Sequence, residues 1–141
     1  MFMGEYNHTV DEKGRLIIPS KFRDELGDSF VVTKGLDGCL FVYGNEEWNR
    51  LSVKLQGLPF TNKSARAFSR YMLAGAVTVD VDKQGRILLP QVLRTFGELD
   101  KEVVLIGVGS RVEIWNRNKW NEASDIGDMD EIAEQMADLG I

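Results

Sequence analysis

Apolar residues occur along this chain in short bursts separated by turn-forming residues, and two of the bursts share a pattern. Leu16-Ile17-Ile18 and Ile87-Leu88-Leu89 are aliphatic triplets, each preceded by a polar turn and followed by proline. So short a run between turn signals reads as a strand. Pro19 and Pro90 then stop the ladder, having no N–H to donate, and preset the first turn of a helix. The helices that follow are short and are expected to end near Gly27 and Gly97, where glycine supplies the left-handed conformation of a helix terminus. Phe30 to Lys34 and Leu40 to Tyr43 read as a hairpin around Gly35 to Gly38. Glu102 to Ile106 and Val112 to Trp115 are its counterpart, with Gly107-Val108-Gly109 expected in the turn.

These matching elements belong to an internal repeat. Val10-Asp11-Glu12-Lys13-Gly14-Arg15-Leu16-Ile17-Ile18-Pro19 recurs 71 residues later as Val81-Asp82-Lys83-Gln84-Gly85-Arg86-Ile87-Leu88-Leu89-Pro90. Valine, aspartate, glycine, arginine and proline keep their places, and the three other apolar positions exchange one aliphatic residue for another. The correspondence continues through Arg23 and Arg94, Val31-Val32 and Val103-Val104, Val42-Tyr43 and Ile114-Trp115, and Trp48 and Trp120. The chain therefore reads as two units, 5–49 and 76–120, joined by a basic helical linker at 50–75 and followed by an acidic tail at 121–141. Each unit runs strand, strand, short helix, strand, strand, helix. A unit of about 45 residues buries too little apolar surface to be stable alone. The two must pack together, which predicts one pseudo-twofold body of mainly β structure with short helices, an α+β fold.

The polar turns have their own chemistry. Aspartate first and glycine fourth, in Asp11 to Gly14 and again in Asp82 to Gly85, match a type I turn closed by a left-handed residue, a common hairpin connection. Between the units, Thr61 or Asn62 is placed to cap a helix running to about Leu73. On it Lys63, Arg66 and Arg70 form one stripe and Phe68, Tyr71 and Met72 another.

Composition narrows the chemistry. With 141 residues, 43% hydrophobic and 28% charged, the chain has material for one small core. Apolar runs such as Val103 to Ile106 fall far short of the roughly 18 residues of a membrane span, and the N-terminus lacks the build of a signal peptide. A cytoplasmic protein is expected. One cysteine, Cys39, allows no internal disulfide, and one histidine, His8, leaves too few ligands for zinc, so neither a metal nor a cofactor is called for. No nucleophile-elbow or phosphate-loop motif is present, and Val112 stands where a dinucleotide fingerprint starting at Gly107 needs its third glycine. No enzyme is expected. Packing is the simplest role for His8, Cys39, Trp48 and Trp120.

Net charge is −5, but its placement matters more than its sum. Residues 122–141 hold seven acids and no base, so the remainder carries 17 basic against 15 acidic residues. Residues 48–79 carry Arg50, Lys54, Lys63, Arg66 and Arg70 and no acid, a basic belt. The tail reads as a solvated segment in which Ile132, Met136 and Leu139 fall on one helical stripe.

The duplicated signature, Asp11 with Arg15 and Asp82 with Arg86, each followed by an aliphatic triplet and proline, resembles the MraZ family of bacterial transcriptional regulators, which carry two SpoVT-AbrB units in one chain. The resemblance covers nearly the whole chain. It implies a swapped-hairpin fold, a ring-shaped homo-oligomer in the cytoplasm associated with the nucleoid, and no membrane or small-molecule substrate. Its implied target is double-stranded DNA, at short direct repeats near the promoter of the cell-division and cell-wall cluster that includes its own gene, with repression as the outcome. On that reading Arg15 and Arg86, with Lys13 at the first tip, reach DNA. Asp11, Gly14, Asp82 and Gly85 support the tips. The alternative is that each arginine only pairs with its aspartate and holds the turn. Lys21, Arg23 and Arg94 are candidates for phosphate contact or ordinary solvated charge. The competing function is a protein-interaction or antitoxin-like module without an operator.

Overall fold

In a computed structural model describing residues 1–141, the repeat appears as exchanged strands. The first copy contributes β1 (Phe2–Thr9), β2 (Arg15–Ile17), α1 (Ser20–Leu26), β3 (Ser29–Lys34), β4 (Leu40–Tyr43) and α2 (Asn45–Gln56). After α3 (Lys63–Ala74), the second contributes β5 (Val77–Asp80), β6 (Arg86–Leu88), α4 (Gln91–Gly97), β7 (Glu102–Gly109), β8 (Val112–Asn116) and α5 (Arg117–Ser124). Helix α6 (Met129–Gln135) and a 3-10 turn (Met136–Leu139) follow.

A six-stranded antiparallel sheet has the order β1-β7-β8-β4-β3-β5. The first strand of each copy has left its own hairpin: β1 lies on β7 from Phe2↔Gly109 to Thr9↔Glu102, and β5 lies on β3 from Ser29↔Asp80 to Val32↔Val77. At the centre β4 meets β8, and β2 pairs with β6 in a separate ribbon. This is the duplicated α+β body that the repeat predicts, with the swapped-hairpin, AbrB-like exchange that the family resemblance implies. Alone, each copy would keep only its own hairpin, β3–β4 or β7–β8, and lose every other ladder.

Burial follows the same symmetry. Leu16, Ile18 and Phe22 of the first copy and Ile87, Leu89 and Leu93 of the second join Phe30, Leu40, Leu105 and Ile114 in one core between sheet, ribbon and short helices. Each such side chain contributes about 1.5–3 kcal/mol on full burial. On the other face of the sheet, Cys39, Phe41, Tyr43, Val104, Ile106 and Trp115 pack with Leu55 of α2 and Met72 of α3.

Three local expectations change. The turn at Asp11 joins no extended hairpin, because β pairing across it is limited to the Val10↔Leu16 bridge, after which β1 and β2 take different partners. Tertiary pairing overrides the local signal there. Helix α4 runs through Gly97, and the left-handed residue that ends it is Glu98 at φ 53°, whereas Gly27 ends α1 at φ 82° as expected. Gly107, Val108 and Gly109 lie inside β7 rather than in a turn, because β1 pairs with β7 along its full length. Asn62 rather than Thr61 caps α3, accepting from the Ala65 N–H at 2.9 Å.

Candidate nucleic-acid interface

At the first tip the Asp11 carbonyl accepts from the Gly14 N–H at 3.0 Å, closing the turn. Asp11 Oδ1 accepts from the N–H groups of Lys13 (3.0 Å) and Arg15 (2.8 Å), and Oδ2 accepts from Arg15 Nε at 2.7 Å. The second tip repeats this: Asp82 Oδ1 accepts from the Gln84 and Arg86 N–H groups, both at 2.9 Å, and Oδ2 from Arg86 Nε at 2.8 Å. Both carboxyls are held below their ordinary pKa, chiefly by the N–H of Arg15 or Arg86 and further by that arginine's side chain, against a smaller opposing effect of desolvation. The aspartate thus sets both turn and arginine rotamer. Because each pair uses Nε, it leaves terminal guanidinium nitrogens for another acceptor.

Each tip rests on an arginine from the other copy. Arg23 Nε donates to the Ile18 carbonyl and Arg94 Nε to the Leu89 carbonyl, both at 2.9 Å. Their guanidinium groups then lie against Gly85 and Gly14 respectively, so close that a Cβ on either glycine would fall 2.8 Å from the guanidinium carbon. Both glycines also have positive φ, 86° at Gly14 and 78° at Gly85. Backbone bonds lock the exchange: Ile18 N–H donates to the Gly85 carbonyl and Leu89 N–H to the Gly14 carbonyl, each at 2.9 Å. Arg23 and Arg94 are therefore half-buried braces and not freely solvated charges. Sequence reading could not assign this, since Arg23 serves a turn 62 residues away in the chain and Arg94 one 80 residues away.

The ribbon gives the tips a common face. Its register is Arg15↔Leu88, Leu16↔Ile87 and Ile17↔Arg86. Leu16 and Ile87 point into the core, 0% and 1% exposed, so the alternation of a strand turns Arg15, Ile17, Arg86 and Leu88 outward together. The major groove of B-DNA is wide enough to admit a two-stranded ribbon. The tips differ in one respect. Arg86 Nη2 donates to Gln84 Oε1 at 2.6 Å, whereas Lys13 stands at the matching position beside Arg15 and the terminal nitrogens of Arg15 have no acceptor in the chain.

The other singled-out residues lie elsewhere. Lys21 is exposed on α1, and Lys13 is exposed at its tip. Trp48 packs on Tyr43 and Trp120 on Trp115, with ring centroids 5.9 and 5.4 Å apart, so both anchor helices to the sheet. Cys39 is buried, its thiol donating to the Leu36 carbonyl at 3.2 Å and its pKa pushed up to about 12, chiefly by burial. His8 is half-buried in β1, and burial lowers its pKa. Ile17 and Leu88 were not foreseen on the outward face, although a period of two from Arg15 and Arg86 would have placed them there. No helix is long and apolar enough to cross a membrane.

Exchanged first strands, paired aspartate-arginine tips and crossed arginine braces define a two-unit protein of the swapped-hairpin AbrB type. Comparison with known proteins takes this further. The family model described as "MraZ protein, putative antitoxin-like" matches residues 1–71 and again 72–139. The chain is 56% identical to the transcriptional regulator MraZ of Clostridium tetani and 58% identical to that of Acetivibrio thermocellus, in both cases over the whole of both chains. It is 57% identical, again end to end, to that of a Thermoanaerobacter species. The chain belongs to the MraZ family, a family of transcriptional regulators by the names these relatives carry.

Proposed function

We propose that this chain regulates transcription by binding double-stranded DNA sequence-specifically through the β2–β6 ribbon and its two tips. Short direct repeats near the promoter of its own gene, within the cell-division and cell-wall cluster, are the target, and occupancy there represses initiation. The observation that carries this reading is the outward face of the ribbon, where Arg15 and Arg86 project with Nε fixed by Asp11 and Asp82. Fixed guanidinium groups suit bidentate recognition of guanine O6 and N7. Lys13 extends the first tip toward phosphate, and Lys21 offers a second exposed cation nearby in sequence. Arg23 and Arg94 act by bracing the tips. The protein works in the cytoplasm, on the nucleoid.

A few basic contacts per chain bind weakly, so many copies acting together supply affinity. We propose a closed homo-oligomeric ring. A groove of about 270 Å³ between α2 and α3, lined by Leu55, Leu58, Phe60 and Leu73 with Arg66 and Arg70, supports this. The acidic segment at Met129 to Leu139 complements it, with Ile132 and Met136 its only half-buried residues. Light scattering tests the ring: a mass of several chains is expected, and the 15.9 kDa of one chain would refute it.

Footprinting of the DNA just upstream of the chain's own gene tests the function, with repeated protection spaced at about 10 bp, one helical turn, as the expected result. The antitoxin-like wording of the family description favours a second reading, a module that binds a protein partner and has no operator. Affinity for that DNA falling steeply with salt supports the first reading. Absence of specific binding at low salt supports the second.

A further inference from the structure

Ile17 and Leu88 are large aliphatic residues that the fold leaves uncovered, at 44% and 58% exposure. Their neighbours in sequence, Leu16, Ile18, Ile87 and Leu89, are all at 1% exposure or less, so the strand pleat, and not a lack of core, puts these two outside. Each lies directly across the ribbon from an arginine of the other copy, Ile17 opposite Arg86 and Leu88 opposite Arg15. The outward face is thus two composite pairs, each one guanidinium and one branched aliphatic side chain drawn from different copies.

In the major groove the one apolar feature of a base edge is the C5 methyl of thymine, and guanine offers the paired acceptors that an arginine fork fits. A lone exposed aliphatic residue needs no explanation. Two of them at symmetric positions, each facing a restrained arginine across a paired ribbon, match a surface that reads a methyl beside a guanine. The Cβ atoms of directly opposed residues stand about 4.5–5.5 Å apart, a separation that lets one pair contact neighbouring bases.

We infer that Ile17 and Leu88 are specificity-determining residues that pack against thymine methyl groups adjacent to the guanines contacted by Arg86 and Arg15. This rests on the DNA-binding reading above and adds to it the chemical class of the second feature read. It predicts that the element bound contains thymine next to guanine, read twice with unequal strength, because Gln84 restrains Arg86 while Arg15 keeps its terminal nitrogens free.

The test uses the full-length protein and the duplex immediately upstream of its own gene, synthesised with thymidine or with deoxyuridine, which lacks only the C5 methyl. The parent protein is expected to bind the thymidine duplex more tightly by about fourfold for each methyl covered. Ile17→Ala/Leu88→Ala, checked for an unchanged melting temperature, is expected to bind both duplexes equally, at the affinity of the parent for the deoxyuridine duplex. Arg15→Ala is expected to lose affinity on both while keeping the preference for thymidine at the remaining pair. Equal binding of both duplexes by the parent would overturn the inference while leaving DNA binding intact. So would a thymidine preference undiminished in the double variant, which would assign it to DNA shape. If the parent bound neither duplex specifically, the DNA-binding reading itself would fall.

Discussion

Asp11 holds Arg15 Nε at 2.7 Å in the first copy and Asp82 holds Arg86 Nε at 2.8 Å in the second, and the braces from Arg23 and Arg94 both measure 2.9 Å. One layer away the copies part. Phe41 of β4 faces Glu113 of β8, and Glu113 is tied to Arg111 at 2.7 Å and to Trp115 Nε1 at 3.0 Å with no counterpart in the first copy. The first copy ends in α2, followed by the basic helix α3, whereas the second ends in α5 and an acidic segment. The tips therefore carry a requirement that both copies meet, while the outer face has been free to diverge into surfaces of opposite charge. That division fits the DNA contact proposed for the tips and the self-association proposed for the outside.

Core substitutions break the comparison most severely. Phe22→Ala is expected to cost about 3–5 kcal/mol and its counterpart Leu93→Ala about 2–5 kcal/mol. Because the strands are exchanged, each should lower the midpoint of a single urea transition that both halves share. Two separate transitions would show that the copies fold independently. Glu113→Ala comes next, with an expected loss of about 1–3 kcal/mol from leaving the Trp115 N–H and Arg111 without their acceptor. The first copy has no matching loss, since Phe41 occupies that place.

Gly14→Ala and Gly85→Ala sharpen the comparison at the tips. Each forces a side chain into a left-handed conformation costing about 1–2 kcal/mol and pushes the opposing arginine aside. Equal losses, read by thermal denaturation, are expected from the two; a loss at only one would mean that the braces are not equivalent. The smallest effect is on pH dependence. Asp11 and Asp82 have lowered pKa values, so in acid the folded chain binds fewer protons than the unfolded one. Their contribution is present above the ordinary carboxylate value of about 3.9, erodes below it, and is gone once the pH has fallen through the folded value. Asp11→Asn and Asp82→Asn should each flatten this acid limb of stability against pH by the same small amount.

The repeat made the element order, the pairing of copies and the turn chemistry legible, because a duplicated Asp-x-x-Gly-Arg run with proline after its triplet leaves few other local structures. The Asn62 cap and the helix it starts were readable for the same local reason. What a chain of local signals could not show was where strands go once they leave a turn. The split of β1 from β2, the inclusion of Gly107 to Gly109 in β7 and the seating of Arg23 and Arg94 on the opposite copy's glycines all follow from long-range pairing. The arginines of the tips were visible by type and position. The face they share with Ile17 and Leu88 required the β2–β6 register.

The two tips share the same turn, ion pair and brace, and the proposed function has them read DNA jointly. That joint reading is tested most directly by measuring affinity for the upstream duplex with Arg15→Ala, Arg86→Ala and the double variant, each confirmed to melt and to scatter light as the parent does. Each single variant is expected to weaken specific binding by about 1–3 kcal/mol, Arg15→Ala more than Arg86→Ala, and the double variant to leave only the salt-sensitive nonspecific background. A double variant that binds the duplex as the parent does would show that both aspartate-arginine pairs serve the turns alone and would contradict the account.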